Sequence, residues 1–289
     1  MRIGVFRSPA ACSIVTVHGD LSRTAALRRG GLRHCFRGPG IGFLLRFRRH
    51  CRPHHERPGR GTPRSRAVER LGALSELFAR VAVVSARPAA FLRERFSAAP
   101  GVRLFGLYGL QTVVGGEIRN AGEAEPWAPV IRHLIADAAR ELPGKVLVED
   151  KALMVALHYR ADPALRGVVE RWSSAKAAEL GLAEQLGRMV VELKPPVPGD
   201  KGTVVATETA DLTRAWYFGD DLSDIRAFEA LRTREEGDPE FIGVRVAVAN
   251  TETGDDLARQ ADFTVSGPAD VPAMLDEIIR AFHDKRDSP

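Results

Sequence analysis

Lysine and acidic residues are almost missing from the first quarter of this chain. Residues 1–66 hold 15 Arg, no Lys, one Asp and one Glu. That segment carries +13, so in a chain of net charge +5 the remaining residues carry −8. Long apolar runs are missing too: "IGFLL" (41–45) is the longest candidate near the N-terminus and is far too short to cross a bilayer. Cysteine is scarce. Cys12, Cys35 and Cys51 all fall in the basic segment, at spacings that make neither a disulfide framework nor a metal site, which suits a reducing compartment. No G-x-G-x-x-G loop follows a strand, which counts against a nucleotide-binding α/β domain. What remains is globular in composition, 44% hydrophobic and 27% charged over 289 residues, enough for one large domain or two smaller ones.

From Ala67 onward the pattern is that of an α/β protein. "AVERLGALSELFA" predicts an amphipathic helix with Val68, Leu71, Leu74 and Leu77 on one face. "RVAVVSARP" predicts a buried parallel strand ending at Ser85, "AFLRERF" a helix and "VRLFGLYG" a strand. After Gly109 the alternation breaks. "QTVVGGEIRN" predicts a hairpin turning at Gly115-Gly116. A long helix over "EPWAPVIRHLIADAARELPG", paired strands "KVLVEDK" and "LMVALHYR", a helix over "ALRGVVERWSSAKAAELG" and a strand "GRMVVELKPP" complete a small α+β module. Beyond "PPVPGDKG" the alternation resumes: helix, strand "AWYFGDD", helix "IRAFEAL", strand "VRVAVAN", helix "DDLARQA", strand "DFTVSG" and a terminal helix. The expected fold class is α/β, a Rossmann-like parallel sheet with an inserted α+β cap. Its expected divisions are an anomalous 1–66, core 67–110, cap 111–197 and core 198–289.

Three carboxylates, Asp220, Asp221 and Asp224, follow the apolar run "RAWYFG". In open α/β folds ligands bind at such strand ends, and a hard cation such as Mg²⁺ needs only one or two carboxylates beside its waters. The same residues also suit a solvated loop that caps a helix. Ser85 can offer a hydroxyl to a phosphoryl oxygen or simply cap a helix. Lys201, before Gly202, can neutralise phosphate charge at a helix start or be an ordinary solvated lysine. Glu149, Lys151, His158, Arg160 and Glu192 are polar residues on otherwise apolar strands. Alternation puts Glu149 with Lys151, and His158 with Arg160, on one face of their strands; the outer face of a half-solvated sheet is the alternative.

Taken together, "VVSARP", "GDKG" and "GDDLSD" resemble three of the four motifs of the haloacid dehalogenase superfamily. "VEDKALMVALHYR", "VELKPP" and "LYG" narrow the resemblance, over residues 67–289, to its trehalose-phosphate phosphatase family. Ala86 stands where that family more often has Gly. The resemblance implies a Mg²⁺-dependent hydrolysis of trehalose 6-phosphate in trehalose biosynthesis. Ser85 and Lys201 would be catalytic and Asp220, Asp221 and Asp224 would bind metal. Glu149, Lys151 and Glu192, more weakly His158 and Arg160, would meet the sugar. It implies a cytoplasmic monomer acting on a small sugar phosphate, with no nucleic-acid or membrane partner. Sucrose phosphate or mannosylglycerate phosphate is an alternative substrate.

The fourth motif, Asp-Phe-Asp-Gly-Thr, is expected just before Ala67 and is not there. In the family its first Asp attacks phosphorus and its second protonates the departing sugar oxygen. "RFRRH" (46–50) stands instead. Its codons, CGN TTY CGN CGN CAY, read one base later give GNT TYC GNC GNC AY-, which permits Asp-Phe-Asp-Gly-Thr. Residues 1–66 are thus open to three readings: a transit peptide, a basic nucleic-acid arm, or a segment translated in the wrong frame. A chain with that segment as its true sequence would be a non-catalytic sugar-phosphate binder. A basic, aperiodic segment cannot bury enough apolar surface to offset its ordering entropy, so residues 1–66 are expected to contribute no regular element to the sheet.

Overall fold

A computed structural model of the protein describes residues 41–46, 63–187, 189–249 and 255–286. In chain order the elements begin with β1 (Ile41–Arg46), α1 (Pro63–Leu77), β2 (Arg80–Val84), α2 (Ala89–Arg95) and β3 (Arg103–Gly106). β4 (Gln111–Val114), β5 (Glu117–Asn120), α3 (Ala128–Glu141), β6 (Leu147–Asp150), β7 (Val155–His158), α4 (Arg166–Leu180), β8 (Ala183–Gly187) and β9 (Val190–Lys194) follow. The chain ends with α5 (Lys201–Thr209), β10 (Arg214–Gly219), α6 (Ile225–Gly237), β11 (Ile242–Val248), β12 (Phe263–Val265) and α7 (Val271–Arg286). These form two compact units. One takes the described residues up to Val83, Arg95–Arg103 and those from Lys201 onward; the other takes Val84–Glu94 and Leu104–Asp200.

In the first unit the strands run in the order β12-β11-β10-β1-β2. β10 pairs parallel with both β1 and β11, and β11 pairs parallel with β12. Such strands are covered on both faces, so they read as continuous apolar runs rather than alternating ones. "RAWYFG" and "RVAVV" are buried from their second residue onward. Trp216 stacks between Phe218 and Phe263, at 6.3 and 6.2 Å between ring centroids. Of the predicted stripe on α1, Val68, Leu71 and Leu74 are buried, and Phe78 rather than Leu77 completes it. Arg70 ties α1 to α7 through a two-pronged ion pair with Asp276, at 2.5 and 2.6 Å.

The second unit contains the predicted hairpin, β4 antiparallel to β5, turning at Gly115 (φ 59°) and Gly116 (φ 83°). Two successive positive φ angles are what a two-residue hairpin turn requires, and glycine adopts them without strain. Its four-stranded sheet is antiparallel throughout, in the order β6-β7-β9-β8. One face is core: Val155, Leu157, Val191 and Leu193 pack on Ile131, Leu134 and Ala138 of α3 and on Val169 and Ala177 of α4. Each such burial contributes about 1.5–3 kcal/mol for a large aliphatic side chain. Because strand side chains alternate, the opposite face must carry the polar set.

Three expectations fail. β1 lies inside the first 66 residues and is a member of the central sheet, so that segment does contribute a regular element. "IGFLL" is a short continuous apolar run of the kind parallel strands use, hidden by the basic average around it. α1 likewise starts at Pro63 instead of Ala67, with proline in the first turn where its missing N–H costs nothing. "DDLARQA" is not an α-helix but a turn closing in a single 3-10 turn, Ala258–Gln260. The other readings of residues 1–40 and 47–62 lie outside the described residues.

Candidate active site

At the end of β10, Gly219 leads into the acidic turn. A Cβ there would sit 2.5 Å from the Cβ of Asp224, so glycine is what lets that side chain fold back under the strand end. Asp224 is fully buried, and both its oxygens are engaged. Oδ1 accepts from the Lys201 ammonium at 2.5 Å and from the Tyr217 hydroxyl at 2.8 Å. Oδ2 accepts from the backbone N–H groups of Asp220 and Asp221, each at 2.9 Å. Asp221 in turn accepts from Ser223 N–H and closes a reciprocal cap with Asp224. Lys201 opens α5 and is itself fully buried. Burying two charges is tolerable only when they are paired, and here the carboxylate's other acceptor sites are filled as well.

Four of the predicted groups in the first unit are therefore brought together: Lys201, Asp220, Asp221 and Asp224. Among the described residues no three His, Cys, Asp or Glu groups converge on a ready metal cage. The donors fit a hard, water-rich cation held by Asp220 and Asp221, which are half-buried at the strand end.

Ser85 belongs to the second unit, directly beyond β2 and only 2% exposed. Its hydroxyl accepts from Arg87 N–H at 3.1 Å, and its carbonyl accepts from Tyr108 N–H at 2.9 Å. On the polar face of the four-stranded sheet, register places Glu149, Ala156, Glu192 and Gln185 in one cross-strand row. Glu149 takes Arg87 on one oxygen and His158 on the other, both at 2.9 Å. The His158 hydrogen bond, then Lys151 and Arg87, hold the Glu149 carboxyl below the usual glutamate range against the opposing effect of burial. Glu192, 7% exposed, takes the buried Lys151 ammonium at 2.5 Å on Oε1 and the Tyr108 phenol at 3.0 Å on Oε2. Lys194 lies over the Tyr108 ring, 5.4 Å from its centroid, and burial lowers its pKa. Glu149 with His158, and Glu192 with Lys151, thus form two bonded groups on one sheet, while Arg160 follows β7 at an exposed position.

Arg87, Tyr108, Gln185 and Lys194 were not foreseen. "LYG" and "VELKPP" are among the motifs that carry the family resemblance, but nothing in their spacing assigns a role to Tyr108 or Lys194. Gln185 lies on β8, a strand whose "AEQLG" lacks β-branched residues and gives no strand signal.

Residues 51–268 match the trehalose-phosphatase family model. The chain is 35% identical over 243 residues to an uncharacterised glycosyl hydrolase of Mycobacterium tuberculosis, covering 77% of this chain and 17% of that one. It is 31% identical over 229 residues to the trehalose-phosphate phosphatase of the same organism, covering 74% of this chain and 56% of the relative. The chain therefore spans about half the length of that phosphatase, and less of the hydrolase. A solved trehalose-6-phosphate phosphatase related protein superposes with a TM-score of 0.63 over 84% of this chain and 99% of that one. At 21% identity that likeness speaks for the fold, which is haloacid-dehalogenase-like. With the family model spanning most of its length, the chain belongs to the trehalose-phosphatase family.

Proposed function

We propose that this chain descends from, or with one base restored is, a Mg²⁺-dependent phosphatase that converts trehalose 6-phosphate to trehalose and phosphate in the cytoplasm, acting as a monomer. One observation carries the reading: a fully buried Lys201–Asp224 pair at a parallel strand end, with Asp220 and Asp221 anchored by the same carboxylate. Lys201 offsets negative charge at the phosphoryl group. Ser85 gives its hydroxyl to a phosphoryl oxygen. Mg²⁺, held by Asp220 and Asp221, would supply positive charge to the same group. Asp224, with both oxygens occupied, acts as a positioning residue rather than a ligand. The segment 111–197 serves as the sugar-reading module, with Glu149, Lys151 and Glu192 meeting hydroxyls.

The missing nucleophile belongs on β1. That strand is hydrogen-bonded to β10 with Leu45 level with Phe218. The next residues along the two strands are Arg46, which ends β1, and Gly219, the residue before Asp220. The shifted reading begins its first Asp at codon 46, which supports a frame error over a true leader. In the restored chain that carboxylate bonds to phosphorus as the sugar oxygen leaves, the second Asp supplies the proton to that oxygen, and water then cleaves the aspartyl phosphate. The chain as given, with Arg46 at the strand end, supports a second reading as a non-catalytic sugar-phosphate binder.

The test is to express the gene with the frame shifted from codon 46 and returned before Ala67, then follow phosphate release. Expected is Mg²⁺-dependent turnover of trehalose 6-phosphate, lost in Asp220→Ala, with glucose 6-phosphate a poor substrate. Turnover indifferent to Mg²⁺ would remove the metal assignment; equal use of both sugars would remove the sugar-reading role of 111–197.

A further inference from the structure

We propose that Tyr108 is a positioning residue that fixes Glu192 for a sugar hydroxyl, and that Gln185 is a second, direct contact to the same sugar. The inference rests on the sugar-phosphate reading above and adds two residues to it. It begins with backbone strain. Leu107 (φ 49°) and Tyr108 (φ 60°, ψ 24°) are consecutive non-glycine residues in the left-handed region, followed by Gly109. Each such residue costs roughly 1–2 kcal/mol, and strain of this kind collects at functional sites. Glycine would remove the cost at position 108, so the side chain must be worth keeping.

What the side chain does is visible in its contacts. The turn is held by hydrogen bonds from Tyr108 N–H to Ser85 O and from Leu107 N–H to Arg87 O, both 2.9 Å. The Tyr108 ring is buried with Leu110, Leu153 and Met154. Only the phenol tip reaches the polar face. The Gln185 amide donates to the phenol oxygen at 3.4 Å, which orients the phenol proton toward Glu192 Oε2 at 3.0 Å. Lys151 holds the other oxygen. A carboxylate oxygen has two lone pairs, so each Glu192 oxygen keeps one acceptor site after these bonds form. Gln185, half-exposed and level with Glu192 across β8 and β9, brings an amide carbonyl to the same row.

Fixed acceptors of this kind suit neutral hydroxyl groups, each of which can donate. They do not suit a phosphate, which a carboxylate repels. The ligand portion read here is therefore an unphosphorylated sugar ring.

The full chain as given lacks the nucleophile, so trehalose 6-phosphate can be titrated by calorimetry without being consumed. Tyr108→Phe keeps the buried ring and removes only the hydroxyl. Its expected effect is about tenfold weaker binding of trehalose 6-phosphate, the loss of one hydrogen bond to a charged group. Inorganic phosphate, which has no sugar, should bind as before. In a Glu192→Gln background the same change should have little further effect, as expected when one residue acts through another. Gln185→Ala, at a half-exposed position, should weaken the sugar phosphate about threefold or more and again spare phosphate, and it decides the matter if Tyr108→Phe does not fold. Wild-type binding with both variants within twofold would overturn the inference and leave the sugar-phosphate reading standing. Equal loss of both ligands would reduce Tyr108 to a structural residue and likewise overturn it. No binding of trehalose 6-phosphate by the parent chain would sink the reading and the inference together.

Discussion

Two residues of the first unit, Lys201 and Asp224, are buried together as an ion pair. Neither is exposed, and their 2.5 Å contact is backed by Tyr217 and two backbone N–H groups. Removing one partner leaves the other as an unpaired buried charge, which typically costs about 3–5 kcal/mol. Urea unfolding of Lys201→Met and of Asp224→Asn should each record a loss of that size. The double variant should lose at least about 1 kcal/mol less than the two losses added, because the groups share one interaction. Additive losses would mean that the pair is not coupled. In the second unit Glu149 makes a pH prediction. Its carboxyl is held below the ordinary 4.5 chiefly by the His158 hydrogen bond. A depressed carboxyl pKa contributes stability that is complete above the unfolded value and lost as pH falls through the folded one. The stability advantage of the wild type over Glu149→Gln should therefore shrink on acidification below about pH 4.5, as linkage requires. A constant difference down to pH 2 would contradict it. Residues such as Lys201 and Asp224 could be picked from the sequence because "GDKG" and "GDDLSD" resemble superfamily motifs. Tyr217 could not: it reads as one more apolar strand residue, and only its hydroxyl, turned toward Asp224, gives it a polar role.

Elements were legible in proportion to how locally they are determined. The hairpin at Gly115-Gly116 and the parallel strands β2, β10 and β11 lie where pattern and turn chemistry put them. β1 escaped notice because its short apolar run sits in a basic segment, and β8 because "AEQLG" takes its strand character from its neighbour. β1 is flanked by β10 and β2, and β8 is an edge strand next to β9. The β6–β7 connection shows the same dependence on context at one residue. Ala152 turns the chain in the left-handed region (φ 69°), and its N–H is held by the Asp150 carboxylate at 2.7 Å. A non-glycine residue there pays roughly 1–2 kcal/mol, while glycine gives back about 0.4–1 kcal/mol through a more disordered unfolded chain. Ala152→Gly should therefore stabilise the protein modestly, against the usual direction for an alanine-to-glycine change. A lower melting temperature in a thermal scan would show that the turn carries no such strain.

At the scale of the whole molecule, each of the two units holds a polar network of its own among the described residues. One holds a buried lysine–aspartate pair beside two further carboxylates; the other presents a sheet face of paired acids and bases. The bonds of Lys201 and Tyr217 to Asp224, and of Lys151 and Tyr108 to Glu192, join residues present in the chain. On the proposed reading, a chain without the nucleophile should lose the chemistry and keep sugar-phosphate binding. Phosphoryl transfer through an aspartyl phosphate cannot proceed when no carboxylate can attack, and Arg46 at the end of β1 offers none. Positioning and charge alone leave some residual catalysis when nucleophiles are removed from other enzymes, but that residue is far below ordinary turnover of about 1–10³ per second. The chain as given should thus fold and bind trehalose 6-phosphate, yet release phosphate no faster than a small fraction of that range with Mg²⁺ present. Both halves are measurable on one preparation, by calorimetry and by a phosphate-release assay. Turnover in the ordinary range would mean that another group serves as nucleophile and that the motif on β1 is dispensable. Absence of binding in a folded sample would overturn the sugar-phosphate reading itself.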